Sequence, residues 1–378
     1  MAHHSTPEVA RAVVGSFAID GDAIDVKTFE RGHIHDTFVS TWRRADGSLR
    51  RYLHQRINDR VFTDVPALMN NIACVTTHLK SRYGTPAGDG HMRSLELVPT
   101  RAGGTYLVTE DAPWRTYVYI EGTRSFDRCD TRDRAHEAAR AFGQFQSDLI
   151  GLDTSRLRET IPRFFSSPYR LVQLEDAVAA DLVGRVKGAK AEIAFVQGRR
   201  QLVDSVDCAM RAGAFRPRIV HGDTKLNNLL FDESSGKAIC VVDLDTCMPG
   251  WSLYDFGDLV RFTAARCKED EQDLALAGMD FDLYAALVDG YLDGAGSASS
   301  PTTLPATAIS RSRATITTST AHACSSQWSP TWNDSAVRWS DGYVRGVRGA
   351  SSREWCARRS EGRRRRARRH HGAGGVDA

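Results

Sequence analysis

Period-two alternation marks the first third of the chain. AIDVKTF (23–29) and DTFVSTW (36–42) alternate apolar and polar positions on either side of ERGHIH, and ADGSL supplies a turn before RRYLHQRI (50–57). These runs predict a small antiparallel sheet, preceded by a short helix over 7–17. The period then lengthens. In TDVPALMNNIACVTTHLKSRYG, Leu68, Ile72, Val75 and Leu79 form one helical face. Thr63 or Asp64 can cap it, Pro66 fits its first turn, and Gly84 ends it. Strands are expected again around LELVPT (95–100), TYLVTE (105–110) and WRTYVYIEG (114–122).

Beyond Gly122 the pattern turns helical: RDRAHEAARAFGQFQSDLIGL (132–152) is amphipathic, and 170–212 reads as long helices. Strand periods return in IVHGD, NLLF and ICVVDLD between Arg218 and Asp245, and helical ones from about Leu253 to Leu292. Sheet, helix and more sheet without a βαβ repeat predict an α+β fold: a small β-rich lobe, 1–120, joined to a larger helical lobe, 121–296.

Composition changes this picture at one end only. The 378 residues are 41% hydrophobic and 26% charged, as in ordinary globular proteins. No run approaches the roughly 20 apolar residues needed to cross a bilayer. MAHHSTPEVARAVV lacks the basic-then-apolar order of a signal peptide, and eight Cys stand singly with no CxxC pair. A reducing, cytoplasmic setting is therefore expected, with no membrane partner and no zinc or disulfide framework. The net charge of +3 hides a break. Residues 297–378 hold fourteen Arg, no Lys, five acidic residues, twenty-two Ser or Thr and one Leu, or +9, so 1–296 carry 3 − 9 = −6. Such a tail lacks the aliphatic residues that offset ordering entropy and is expected to be disordered. Its abrupt Arg, Ser and Thr enrichment resembles a G+C-rich message read out of frame; a real solvated tail and a polyanion-binding arm (EGRRRRARRHHG) are the other readings. Nucleic acid is expected as a partner only through that tail.

The chemistry concentrates in HGDTKLNNLLFDESSGKAICVVDLDTCMPGWSLYDFGDLVRF (221–262). His221-x-Asp223 followed by Asn228 puts an acid and an amide at the two ends of one short loop. A hairpin between NLLF and ICVVD brings Asn228 beside Asp243, where an amide oxygen and a carboxylate suit Mg2+. Asp223 is then free to accept a proton from an attacking hydroxyl, the division of labour that phosphoryl transfer uses. The same residues can instead serve only as Asx-turn and strand-end caps.

With these residues in view, the body resembles the aminoglycoside phosphotransferase/choline kinase superfamily, and within it the N-acetylhexosamine 1-kinases. The matching strings are GHIHDTF (32–38), YLHQRIN (52–58), LMNNIACVTTHL (68–79), YVYIEG (117–122), AFGQFQ (141–146), ETIPRF (159–164), HGDTKLNN (221–228), VVDLDTCMPG (241–250) and LYDFGDLVRF (253–262). The resemblance implies a bilobal protein-kinase-like fold using ATP and Mg2+. It implies Asp223 as catalytic base, Asn228 and Asp243 as metal ligands, and Asp245 as a supporting or alternative ligand. The string Asp255-Phe256-Gly257 mimics a kinase metal triplet but falls too late after Asn228; the likeness makes Asp255 a brace for the catalytic loop. Backbone from Tyr119 through Glu121 to Gly122 is expected at the adenine edge.

Several positions depart from the family pattern. The third strand has no Lys for the phosphates, leaving Arg56 or Gln55 for that work; Asn70 stands where a helix Glu is usual, and the candidate phosphate loop has a single glycine, Gly32. His35 replaces a frequent Asn, and Arg163 follows TIP where Asp is common. Candidates for an acceptor are His33, Asp36, Lys225 and Arg261. The implied activity is phosphorylation of the anomeric hydroxyl of an N-acetylhexosamine. An aminoglycoside or amino-alcohol kinase, and a nucleotide-binding module without turnover, stand as alternatives.

Overall fold

In the computed structural model, which describes residues 6–29, 34–84, 91–211, 213, 216–268, 271–273 and 275–296, helix α1 (Pro7–Val14) carries its proline at the first turn. Strands β1 (Asp22–Thr28), β2 (Asp36–Arg43) and β3 (Leu49–Arg56) follow the alternating runs and pair antiparallel in sequence order. Helix α2 (Val65–Tyr83) begins where the Asp64 carboxylate accepts the Ala67 N–H at 2.9 Å, and stops at Gly84, whose φ of +63° suits glycine. Strands β4 (Leu107–Val108) and β5 (Pro113–Val118) complete a five-stranded sheet of order β1-β2-β3-β5-β4. LELVPT, expected as a strand, only flanks β5: Val118 N–H donates to Glu96 and Val98 N–H to Thr116, and Leu97 and Tyr117 form an isolated bridge. Pro99 has no N–H with which to extend that pairing.

Register assigns the two sheet faces. Phe38, His54 and Thr116 stand opposite one another, as do Thr37, Gln55 and Arg115 one residue away, so the two rows face opposite sides. The first face meets α1, where Ala10, Val13, Val14 and Phe17 close a core with Phe38, Trp42, Tyr52 and Trp114. Each such large apolar side chain contributes roughly 1.5–3 kcal/mol by leaving water.

A polar relay runs through this core. Trp42 Nε1 donates to Ser40 Oγ at 2.8 Å, and His54 sits between Ser40 Oγ (2.6 Å) and Thr116 Oγ1 (2.8 Å). A neutral imidazole satisfies both neighbours, one as donor and one as acceptor. Burial pushes the His54 pKa down to about 3.

After β6 (Thr123–Arg124) comes helix α3 (Arg132–Asp148), capped by the Thr131 hydroxyl, which accepts the Arg134 N–H. The helical stretch expected over 170–212 is broken into α4 (Ser167–Ala180), α5 (Lys190–Gln197), α6 (Arg200–Val203) and α7 (Ser205–Arg211). Asp181 and Gly184, both at positive φ, end α4, and Gly198 closes α5. Strands β7 (Arg218–Val220), β8 (Leu229–Asp232), β9 (Ala238–Val241) and β10 (Met248–Gly250) make two small sheets, β6-β8-β9 and β7-β10. Among the described residues the last helical stretch holds α8 (Ser252–Thr263) and α9 (Phe281–Gly296), with an isolated bridge between Ala265 and Met279 separating them. A β-sheet N-terminal region followed by a helical C-terminal region is the protein-kinase-like, bilobal α+β class expected from the sequence.

Two units divide the described chain. Residues 6–164, 218–259 and 282–296 form the first, and residues 165–217 and 260–281 belong to the second. The tail over 297–378 lies outside the described residues. Among the described residues no helix is long and apolar enough to cross a membrane.

Within the first unit, α9 lies against α3 backbone to backbone. A Cβ at Gly290 would overlap the His136 carbonyl, and one at Gly294 the Arg140 carbonyl. Gly290→Ala is therefore expected to lower unfolding free energy in urea by about 1–3 kcal/mol. Gly257→Ala, where a Cβ meets nothing within 4 Å, should cost nothing; equal midpoints for the two variants would refute close packing at Gly290.

The His54 shift sets a pH dependence. Between pH about 6.5 and 3 the unfolded chain binds a proton that the folded chain refuses, so stability rises with pH there and is lost on acidification, by up to about 1.4 kcal/mol per pH unit. His54→Gln should flatten the unfolding midpoint between pH 6.5 and 4.5 relative to the unsubstituted chain. An unchanged slope would contradict the assignment.

Candidate active site

The site is built on the β8–β9 hairpin and the loop before it. Leu229 pairs with Val241, and Val242 N–H donates to the Asn228 carbonyl at 2.9 Å. Asn228 thus stands beside the residue preceding Asp243, the juxtaposition that the hairpin spacing implied.

A buried carboxylate shapes the loop. Asp255, on the first turn of α8, accepts the N–H groups of His221 (2.9 Å) and Gly222 (2.8 Å) and the side-chain amide of Gln146. Burial raises its pKa, against the opposing pull of these donors. Thr224 adds two ties: its hydroxyl donates to the Asp255 carbonyl at 2.6 Å, and its N–H to Asp258 Oδ2 at 2.8 Å. The His221 ring, edged by Phe142 and Phe145, receives the Asp223 N–H on Nδ1 (3.2 Å), which leaves Nε2–H to donate to the Val242 carbonyl at 2.9 Å. His221 therefore ties the loop to the hairpin.

The Asp223 carboxylate is held by two donors. Lys225 Nζ is 3.0 Å from Oδ1, and Asn228 Nδ2 donates to Oδ2 at 3.1 Å and to the Asp223 carbonyl at 2.8 Å. Asn228 bonds through its side-chain nitrogen, so among the described residues its amide oxygen, the atom a hard cation takes, accepts no hydrogen bond.

Asp243 and Asp245 are two residues apart and differ in every respect. Asp243 is exposed to solvent and adopts left-handed backbone (φ +60°, ψ +60°) at the entry to a single turn, Leu244–Thr246. Surrounding protein on its inner side, then the Asp245 carboxylate and Asp223, hold its carboxyl well above the usual range. Asp245 is buried, and both oxygens accept from the Arg115 fork at 2.6 and 2.7 Å. Burial opposes its charge, yet Arg115 and then His35 keep its carboxyl well below the usual range. His35 Nε2 lies 3.3 Å from Asp245 Oδ1, an ion-pair distance without hydrogen-bond alignment, while Nδ1 accepts the Asn58 N–H at 3.0 Å.

Other candidates are distributed differently. Gln55 faces Arg115 and accepts its Nε–H at 2.9 Å. Arg56, the other residue offered for the phosphates, is on the opposite sheet face, where Nη1 lies 3.5 Å from Asp36 and Nη2 donates to the Asp111 carbonyl. Alternation thus separates Arg56 and Asp36 from the Arg115–Asp245 side. Tyr119 lies under the Arg51 guanidinium, 4.1 Å from its ring centre, and Arg51 grips the Glu121 carboxylate. Gly122, at φ +65°, accepts the Glu233 N–H. Arg261, in the last turn of α8, stacks on Phe262 and belongs to the second unit. Gly32 and His33 lie outside the described residues.

A model of the phosphotransferase enzyme family (APH) matches residues 33–294, more than half of the chain. The chain belongs to that family. Solved structures show the fold of this phosphotransferase at low identity. A microcompartment-associated aminopropanol kinase is 17% identical with a TM-score of 0.50, over 89% of this chain and 94% of that one. The GDP and kanamycin complex of APH(2")-IIia is 9% identical with a TM-score of 0.50, over 94% and 99%.

Sequence reasoning passed over Arg115. Its signal was present: an Arg inside the alternating WRTYVYI run shares a face with Tyr117, a position that demands a partner once buried. It also passed over Asn71, whose buried amide donates to the Arg158 and Cys247 carbonyls and so ties α2 to the strand after the Asp245 turn. In this phosphotransferase, Asp255→Ala strands two buried N–H groups, each worth about 1–3 kcal/mol. Urea unfolding should show at least that loss, and a change below about 1 kcal/mol would argue that Asp255 does not brace the loop.

Proposed function

We propose that the chain transfers the γ-phosphoryl group of ATP to a hydroxyl of a small molecule, and that the acceptor is the anomeric hydroxyl of an N-acetylhexosamine. The supporting observation is the hairpin that sets Asp223, Asn228 and Asp243 together, with Asp223 accepting from Lys225 and Asn228. The sugar rests on the sequence resemblance alone.

Asp223 would take the proton of the acceptor hydroxyl as its oxygen bonds to phosphorus and the bond to the ADP oxygen breaks. The donor set fits a hard divalent cation: an uncommitted amide oxygen on Asn228, an exposed carboxylate on Asp243, and crowded negative charge from Asp223 and Asp245. Asn228 and Asp243 would hold Mg2+, which when bound neutralises phosphate charge. Asp245, spent on Arg115, supports the turn from behind. Backbone at Tyr119 and Gly122 would meet the adenine edge, and the Arg51–Glu121 pair would stiffen that segment. Lys225, 3.0 Å from Asp223 Oδ1, would contact the acceptor beside the base.

Coupled ADP release with Mg2+ and a panel of N-acetylgalactosamine, N-acetylglucosamine, aminoglycosides and amino alcohols tests the reading. Turnover is expected with an N-acetylhexosamine, falling about a hundred- to ten-thousandfold in Asp223→Asn. Turnover only with an amino alcohol or aminoglycoside would overturn the sugar but keep the transfer. Nucleotide binding with no turnover on any acceptor would make the chain a binding module.

A further inference from the structure

Arg115 is 1% exposed, on strand β5 between β3 and β4 of the N-terminal sheet, yet its guanidinium ends on a loop 130 residues away in sequence. It engages Asp245 through both terminal nitrogens and Gln55 through Nε. An ion pair placed this deep is a poor source of net stability, because the desolvation of two charges offsets most of their attraction. Its geometry fixes position instead. The turn it holds is gripped from two further sides: Thr160 Oγ1 donates to the Asp245 carbonyl at 2.9 Å, and Thr246 Oγ1 to the His221 carbonyl at 2.7 Å. Asp243 enters that turn in left-handed backbone, a conformation unfavourable for a non-glycine residue that persists where its surroundings impose it. Freed of Arg115, the Asp245 carboxylate would compete with Asp243 for any cation and pull the turn with it.

We propose that Arg115 is a positioning residue for the metal–nucleotide: by forking onto Asp245 it withdraws that carboxylate from the cation and aims Asp243 at it. Arg115 thereby brings the N-terminal sheet into the site by a route other than a strand-three lysine, on the face where that strand presents Gln55. The proposal deepens, and rests on, the reading of Asp243 as a cation ligand. A lysine cannot replace the fork, since one ammonium cannot span both oxygens in a plane.

The test uses the full chain and Mn2+ as probe, with affinity read by electron paramagnetic resonance in the presence of AMP-PNP, a measurement independent of turnover. Arg115→Lys should weaken Mn2+ about ten- to a hundredfold and raise the KM for the metal–nucleotide more than it lowers kcat. Metal-free thermal unfolding reports whether each variant folds. Arg115→Gln should weaken Mn2+ as Arg115→Lys does, and adding Asp245→Asn removes the competing carboxylate, so Mn2+ affinity should recover at least in part. An Arg115→Lys variant that binds Mn2+ like the unsubstituted chain, or a double variant that folds yet binds Mn2+ no tighter than Arg115→Gln, overturns the proposal. Asp243→Asn separates the two layers. If it leaves Mn2+ affinity unchanged, the ligand reading itself fails; if it abolishes affinity while Arg115→Lys does not change it, only the role of Arg115 fails.

Discussion

The Asp255 carboxylate is the interaction on which the site depends. A loop that presents one carboxylate to solvent must otherwise leave its own N–H groups unpaired, and two of them, from His221 and Gly222, end on Asp255. Asp255 is in turn held by Gln146 of α3, and α3 is held by the glycine-lined contact with α9. The chain of cause runs from small residues on α9, through a helix position, to the orientation of a loop backbone. Asp223 inherits its direction from that loop; Lys225 and Asn228 then fix its side chain.

Charge is sorted around the hairpin by burial and by partner. Asp223, Asp243 and Asp245 crowd one end of it, and only Asp245 has a guanidinium to itself. That pairing leaves Asp243 as the carboxylate with unmet demand for positive charge. The same logic separates Arg56 from Arg115. Both are strand arginines one register step apart on adjacent strands, yet alternation sends one to Asp36 and the other to a buried acid.

What was legible in the sequence is what local patterns carry. Strands β1 to β3 and helix α2 follow from period and capping, and the hairpin that pairs Asn228 with Val242, next to Asp243, from the strand spacing. Less was legible where a single residue overrides a period. Asp181, Gly184 and Gly198 cut the run read as long helices into shorter ones, and Pro99 denies LELVPT a place in the ladder. The choice between Gln55 and Arg56 needed the parity of the strand relative to α1, which only register with Phe38 and Trp114 supplies. Arg115 was hidden because its partner is 130 residues away.

The parity argument also bears on how a phosphotransferase site can work with a neutral residue on strand three. A strand lysine serves two ends in such sites: positive charge near the phosphates and a tie between sheet and helix. Here the two are separated. Asn71 ties α2 to the strand beyond the Asp245 turn through amide hydrogen bonds, Arg115 ties the sheet to the turn itself, and the Lys225 ammonium stands 3.0 Å from the Asp223 carboxylate on the loop. Such amide ties need no counter-charge: Asn70 donates to the Arg156 carbonyl and Asn71 to the Arg158 and Cys247 carbonyls, all neutral acceptors.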